Sequence, residues 1–228
     1  MRGPYYQDDA VTLYHGDCQN ITAWLEADVL VTDPPYGIGW KQDLSGYTFR
    51  GYACNAETDH HGIANDEDTS ARDWALCLWG SKPALVFGSP RLAPPAGTKQ
   101  VLVWRKPVDA GLIGAATAWR SDIEAIYCLG EWPRVNASRS SIIDGPKGMH
   151  AYLNGHPHAK PTSVLEDLLA LSPSGVVADP FTGSGSTLIA AKRQGRKAIG
   201  VELDERYCEI AAKRLAQDVL DFDTKEAI

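Results

Sequence analysis

Asp33-Pro34-Pro35-Tyr36 follows directly on the strand pattern Asp28-Val29-Leu30-Val31-Thr32, where the end of a buried strand would present side chains to a ligand. The residue types suit one kind of chemistry. An amine on an aromatic base is a poor nucleophile because its lone pair is delocalised into the ring. A carboxylate at Asp33 and a carbonyl at Pro34 can accept its two N–H bonds, freeing the lone pair to attack a methyl group. Pro34 and Pro35 fix φ and remove N–H donors, so that carbonyl has a preset direction. Tyr36 offers a ring face on which an extruded base can stack. An Asx-type turn without chemistry would use the same residues.

A second constellation lies far along the chain. Asp179-Pro180-Phe181-Thr182-Gly183-Ser184-Gly185-Ser186-Thr187 joins a strand pattern to a helix pattern, and Glu202 ends the next strand 23 residues after Asp179. Glycines let the backbone turn tightly against a ligand, helix N–H groups face it, and a strand-terminal carboxylate can accept from ribose hydroxyls. This is the pattern of a site for an adenosine-containing cofactor, although a tight structural turn would use the same glycines. The dinucleotide fingerprint would need glycine where Leu188 stands, and no Gly-Lys-Ser/Thr phosphate loop occurs. S-adenosylmethionine, which has no phosphates to cradle, fits better than NAD.

The elements that must position these groups alternate. Strands are predicted at Val11–His15, Asp28–Thr32, Ala84–Phe87, Val101–Trp104, Ile123–Leu129, Gly175–Asp179 and Lys197–Val201. Helices are predicted around Gln19–Leu25, Ala71–Trp79, Thr162–Leu171 with Thr162 as its cap, Thr187–Gln194 and Glu205–Gln217. Residues 33–70 and 130–161 read as irregular. Alternation of this length implies an α/β fold with a doubly wound, mostly parallel sheet.

The 228 residues suit one domain, 1–228, and 44% hydrophobic composition supplies a core. There is no membrane-length apolar run, no apolar leader core and no Cys-x-x-Cys pair among the five cysteines, so a cytoplasmic protein with reduced thiols is expected. The net charge of −7 is unevenly spread: −9 over residues 1–81, +5 over 82–160 and −3 over 161–228. A basic middle third in an acidic chain is compatible with nucleic-acid contact or with an ordinary solvated surface.

Asp33–Tyr36 together with Asp179–Thr187 resembles the S-adenosylmethionine-dependent DNA amino-methyltransferases, adenine-N6 or cytosine-N4 specific. The catalytic motif precedes the cofactor motif, as in their circularly permuted β group. The resemblance implies a Rossmann-like, seven-stranded, mostly parallel sheet with one antiparallel edge strand. It makes Asp33, Pro34, Pro35 and Tyr36 catalytic, and Asp179, Phe181, Gly183, Ser184, Gly185, Ser186, Thr187 and Glu202 cofactor-binding. His156-Pro-His-Ala-Lys160-Pro161 is similar to a segment enclosing the methionine end of the cofactor, which adds Lys160. Gly16-Asp17 is similar to the segment against the adenine, which adds Asp17 and Cys18. Val103–Pro107 and Trp119-Arg120…Glu124 resemble the family's later strand pair. The resemblance further implies double-stranded DNA as substrate, residues 130–155 as a short target-recognition segment, and Arg105, Lys106, Arg134, Arg139 and Lys147 as nucleic-acid contacts. It is compatible with a homodimer and with a restriction partner.

Position 159 is Ala, where the family often has Gln or Glu. Asp at 33 resembles the adenine enzymes more than the cytosine-N4 ones, and with no Pro-Cys pair cytosine-C5 chemistry is disfavoured. Cytosine-N4 methylation, RNA or protein amide methylation, a catalytically silent cofactor-binding subunit and a dehydrogenase are the alternatives. No metal is expected: His60-His61 with Asp59 and Asp66 read as a solvated loop, and Trp40 as a candidate for the base pocket.

Overall fold

The computed structural model describes residues 3–39, 48, 49, 52, 53, 63–106, 118–134, 139–145 and 159–223, with backbone alone for 48, 49, 52, 53 and 218–223. Lys147, Trp40, His60, His61 and the His156–His158 run lie outside the described residues.

The strands are β1 (Tyr6–Gln7), β2 (Val11–His15), β3 (Val29–Thr32), β4 (Thr48–Phe49), β5 (Tyr52–Ala53), β6 (Ala84–Gly88), β7 (Gln100–Arg105), β8 (Ile123–Leu129), β9 (Ile142–Asp144), β10 (Val177–Asp179) and β11 (Ala198–Glu202). Among the described residues four α-helices accompany them: α1 (Ser70–Trp79), α2 (Thr162–Leu169), α3 (Ser186–Arg193) and α4 (Glu205–Asp223). A 3₁₀ turn, Ala23–Glu26, stands where a short helix was expected over Gln19–Leu25.

The main sheet runs β1-β2-β11-β10-β3-β6-β8-β7-β9, while β4 and β5 form a separate hairpin. It therefore has nine strands rather than the seven expected. The additions are short strands at its margins, the two-residue β1 and the three-residue β9. Two or three residues carry too little periodicity to be read from sequence. β2, β11, β10, β3 and β6 are mutually parallel, β1 is an antiparallel edge strand, and β8 runs antiparallel between β6 and β7.

All four residues of β3 and all five of β6 are buried. Alternate side chains go to opposite faces, so Val29 and Val31 join one core while Leu30 joins the other. The first core takes Val164, Leu165, Leu168 and Leu169 of α2, Leu188 and Ile189 of α3, and Ala211 and Leu215 of α4. The second is closed by Trp24 and by Trp79 of α1, whose rings stack at 5.9 Å. Covering both faces is what permits continuous apolar strands.

Helix ends differ in detail from expectation. Pro161, not Thr162, occupies the N-cap of α2, because its fixed φ sets the entry and no side chain caps that helix. α3 starts one residue early at Ser186, launched from Gly185 in a left-handed conformation.

Asp8, in the β1–β2 turn, fastens this turn to the helical layer. Its carboxylate accepts from Lys192 of α3 at 2.6 Å, from the Tyr6 hydroxyl at 2.7 Å, and from the Val11 and Ala10 amides. Partial burial alone would raise its pKa, but Lys192 and the other donors outweigh that and hold it at about 2. A depressed carboxyl stabilises above its unfolded pKa near 4, and that stability disappears as pH falls towards 2. Asp8→Asn should therefore lower urea-unfolding stability by about 1 kcal/mol near neutral pH, a figure reduced for partial exposure. The gap between variant and parent should close on acidification from about pH 4 to about pH 2.

Candidate active site

The carboxyl ends of β2, β11, β10, β3 and β6 form one edge of the sheet, and both motifs sit there. β3 and β10 are parallel neighbours, with Val29 opposite Val177 and Leu30 opposite Ala178. Thr32 and Asp179 consequently end side by side, and the Thr32 hydroxyl donates to Asp179 Oδ1 at 2.7 Å. One hydrogen bond thus joins the Asp33–Tyr36 corner to the glycine turn across 147 residues of chain.

The glycine turn is held from within and behind. Glu202, the last residue of β11, accepts from Gly183 N at 2.6 Å and Asp204 N at 2.8 Å. Burial pushes its carboxyl up, and its spare lone pairs remain able to accept hydroxyl donors. Gly185 has φ +85°, and a Cβ there would stand 2.9 Å from the Ala211 Cβ of α4. Arg214 of α4 bonds Ser184 O at 2.5 Å and Ser184 Oγ at 2.9 Å, so the Ser184 hydroxyl is already engaged by α4. Asp179 is buried, which pushes its pKa up to about 6 against donation from Thr32, Thr187 and the Phe181 amide.

Asp17 follows β2 and caps Gln19 N at 2.8 Å. It lines a polar hollow of about 300 Å³ with Gln19, Asn65, Glu67, Asp68, Ser70, Ala71 and Trp74. Cys18 is buried, which pushes its thiol up to about 12, so it offers a neutral surface. A larger hollow of about 890 Å³ opens beside Ala84 and Leu129, at the opposite edge of the sheet, and holds none of the predicted catalytic or cofactor-binding residues.

At the Asp33 corner the chain forms a compact ionic group. Asp33 Oδ2 accepts from Lys160 Nζ at 2.5 Å, and Oδ1 from the Tyr36 hydroxyl at 2.8 Å. Glu124 of β8 completes it: Oε2 lies 3.0 Å from the same hydroxyl and 3.3 Å from Lys160 Nζ, and Oε1 lies 2.6 Å from Lys106 Nζ. Burial would discharge Lys160, but Asp33 and Glu124 keep its pKa above the ordinary lysine value. Burial likewise raises Glu124, yet its two lysines outweigh that and hold it low. Asp33 shares one lysine, and burial together with the Glu124 charge leaves its carboxyl raised despite Lys160. Its side chain is 27% exposed against 14% for Glu124 and 8% for Lys160, so Asp33 is the member of this trio most open to a ligand.

Asp66 fixes the outgoing chain. It is 3% exposed, and its carboxylate accepts from Gly37 N at 2.7 Å while its carbonyl accepts from Gly39 N at 2.6 Å. The solvated loop expected around Asp66 is therefore incorrect at this residue: the Gly37 and Gly39 amides, just after Tyr36, draw it inward. A Cβ on Gly37 would meet the Asp68 backbone at 2.5 Å, so the turn and the 63–68 segment are in direct contact.

The structure brings Asp33, Tyr36, Lys160, Asp179, the glycine turn and Glu202 to one edge. Lys106 joins them through Glu124. Arg105 lies at the surface, paired with Asp144 at 2.6 Å. Arg134 follows β8, which leaves at the opposite edge with Leu129 beside Ala84, and Arg139 is exposed ahead of β9. Among the described residues no cluster of His, Cys, Asp and Glu could hold a metal ion, and no helix is long and apolar enough to cross a membrane. The turn Asp179–Thr187 contributes carboxylate, hydroxyls and amides but no basic side chain, a donor set that fits a cationic, phosphate-free cofactor.

Comparison with known proteins agrees with this chemistry. A family model described as DNA methylase, for N6- and N4-acting enzymes, matches residues 95–213. YubD of Escherichia coli (strain K12) is 46% identical over 221 residues, covering 88% of each chain. The DNA adenine methyltransferase YhdJ of the same strain is 39% identical over 260 residues, covering 92% of this chain and 84% of that one. The solved complex of M1.HpyAVI with S-adenosylmethionine superposes with a TM-score of 0.60 at 19% identity, covering 90% of this chain and 99% of the other.

Gly185→Ala places a Cβ in a left-handed conformation against α4. It should lower stability by roughly 1–2 kcal/mol, a melting shift of roughly 3–6 °C. Calorimetric titration with S-adenosylmethionine should show affinity reduced about tenfold or more, and wild-type affinity would show that the turn tolerates the change.

Proposed function

The chain belongs to the N6/N4 DNA methylase family, and from that premise we propose that it transfers a methyl group from S-adenosylmethionine to the exocyclic N6 of adenine in double-stranded DNA. The observation that carries this reading is the Thr32–Asp179 hydrogen bond between parallel neighbours, which sets the Asp33 corner beside the glycine turn. Asp at position 33 and the relative named as an adenine methyltransferase favour adenine over cytosine.

In this reading Asp33 and the Pro34 carbonyl accept the two N–H bonds of the amine, drawing its nitrogen towards a tetrahedral geometry and releasing the lone pair. The Tyr36 ring, fixed through its hydroxyl by Asp33 and Glu124, stacks on the extruded base. Glu202, with Asp17 and the neutral Cys18 one strand away, holds the ribose and adenine of the cofactor. S-adenosylmethionine supplies a methyl group on a sulfonium, which leaves as the neutral thioether when the N–C bond forms. Asp33, already accepting an N–H, takes up the proton that the methylated nitrogen sheds. Arg105 and Arg139 are basic side chains offered to phosphates, whereas Arg134 lies beyond the opposite edge of the sheet; residues 130–155 are the target-recognition segment. A homodimer, a restriction partner and a cytoplasmic location belong to the same proposal.

Methylated duplex, digested to nucleosides and read by mass spectrometry, should yield N6-methyladenine; N4-methylcytosine would replace the adenine assignment by its cytosine counterpart. Asp33→Asn should cut the single-turnover rate on the order of 100-fold or more while leaving cofactor affinity largely unchanged. A rate within twofold of wild type would contradict the role given to Asp33. Because the raised Asp33 carboxyl must be ionised to accept an N–H of the amine and then its proton, the wild-type rate should rise with pH along a limb above the ordinary aspartate value of 3.8.

A further inference from the structure

Glu124 has no assigned part in the reaction, yet among the described residues it touches the two side chains that hold the Asp33 carboxylate, Tyr36 and Lys160. It is the second residue of β8. Because β8 runs antiparallel to β6, its first residues lie at the carboxyl edge, with Ala125 opposite Gly88. Its side chain is inward and largely buried, among Tyr36 from the β3 turn, Lys160 from the segment ahead of α2, and Lys106 just beyond β7. Asp179 at the end of β10 is a further acid on this edge whose charge is felt together with that of Asp33.

The contacts pose a problem that Glu124 solves. In the chain by itself both Asp33 oxygens are engaged by internal donors, the Lys160 ammonium and the Tyr36 hydroxyl. An incoming amine must compete with both. A phenol has one proton, so the Tyr36 hydroxyl cannot donate fully to Asp33 and to Glu124, which lie 2.8 and 3.0 Å away. Lys160 is shared in the same way, at 2.5 and 3.3 Å. Small rotations therefore hand both donors from one carboxylate to the other, and an N–H of the entering amine takes their place on Asp33. Lys106 holds the far oxygen of Glu124 in place during that exchange.

We propose that Glu124 is a positioning residue of methyl transfer, receiving the Tyr36 hydroxyl and the Lys160 ammonium as the target amine enters and so leaving Asp33 free to accept one of its N–H bonds. The proposal rests on the methyltransferase reading above. It gives Lys160 a part beyond enclosing the cofactor, and it makes Lys106 a support for Glu124 in place of a DNA contact.

The test is Glu124→Gln, close in shape but uncharged, in single-turnover methylation of duplex DNA across pH. Lys160 and Tyr36 then stay on Asp33, so the rate on the pH plateau should fall at least about tenfold, with cofactor and DNA affinities within about threefold of wild type. The acid limb should move to lower pH, since a negative neighbour of Asp33 has been removed. Lys106→Gln, at a partly exposed site that should not hinder folding, ought to move the limb the other way: Glu124 then draws more on Lys160 and leaves Asp33 less compensated. Opposite displacements are a signature that loss of packing does not produce. A wild-type rate in Glu124→Gln, or a limb that stays put in the two variants, overturns the proposal; should the first fail to fold, the direction seen in Lys106→Gln decides alone. No methylation by the wild-type protein would instead remove the reading on which the proposal rests.

Discussion

Parallel pairing of β3 with β10 is the constraint from which the site follows. Each strand has its own turn at its carboxyl end, and parallel register forces those turns onto the same edge. The chain leaving β10 goes through α3 to β11 on one side, whereas the chain leaving β3 goes on to β6 on the other. Connections that part in this way open a crevice above the strand ends, the place where doubly wound sheets bind ligands. Thr32 and Asp179 stitch its floor. The order of motifs along the chain does not matter to this geometry: β10 and β11 come last in sequence yet slot between β2 and β3.

Electrostatics then divides the edge into two halves. Around the glycine turn stand Asp179 and Glu202, buried carboxylates whose described partners are hydroxyls and backbone amides. Around the proline corner, Asp33 and Glu124 face Lys160 and Lys106, and the charges balance. A cationic cofactor suits the first half. The second can exchange hydrogen bonds without exposing a net charge to a low-dielectric interior, where an unpaired ion is costly.

Much of this was legible in the sequence because it is local. The runs Val29–Thr32 and Ala198–Glu202, the glycines at 183 and 185, and the acids that end their strands are signals within a few residues, and they located the strands, the turn and the edge. What escaped depends on partners distant in sequence. Glu124 was visible only as part of a strand, because looking for acids at strand ends passes over one near the start of an antiparallel strand. The family resemblance assigns Ser184 to the cofactor and Lys106 to DNA, and it carries no sign of their partners Arg214 and Glu124, which lie far away in sequence. Asp66 looked like one more acid in a polar loop, and only the amides of Gly37 and Gly39 draw it inward. β9 and β1 were too short to leave a pattern.

The most direct measurement is a crystal structure of the protein with a duplex substrate and a non-reactive analogue of S-adenosylmethionine. The distance to read is that between the target amino nitrogen and the position of the transferable group. The account predicts reacting atoms roughly 3–3.5 Å apart over the β3–β10 crevice, with Asp33 and the Pro34 carbonyl on the amine. A cofactor analogue bound away from the Gly183–Gly185 turn, or a base held out of reach of Asp33, would contradict it.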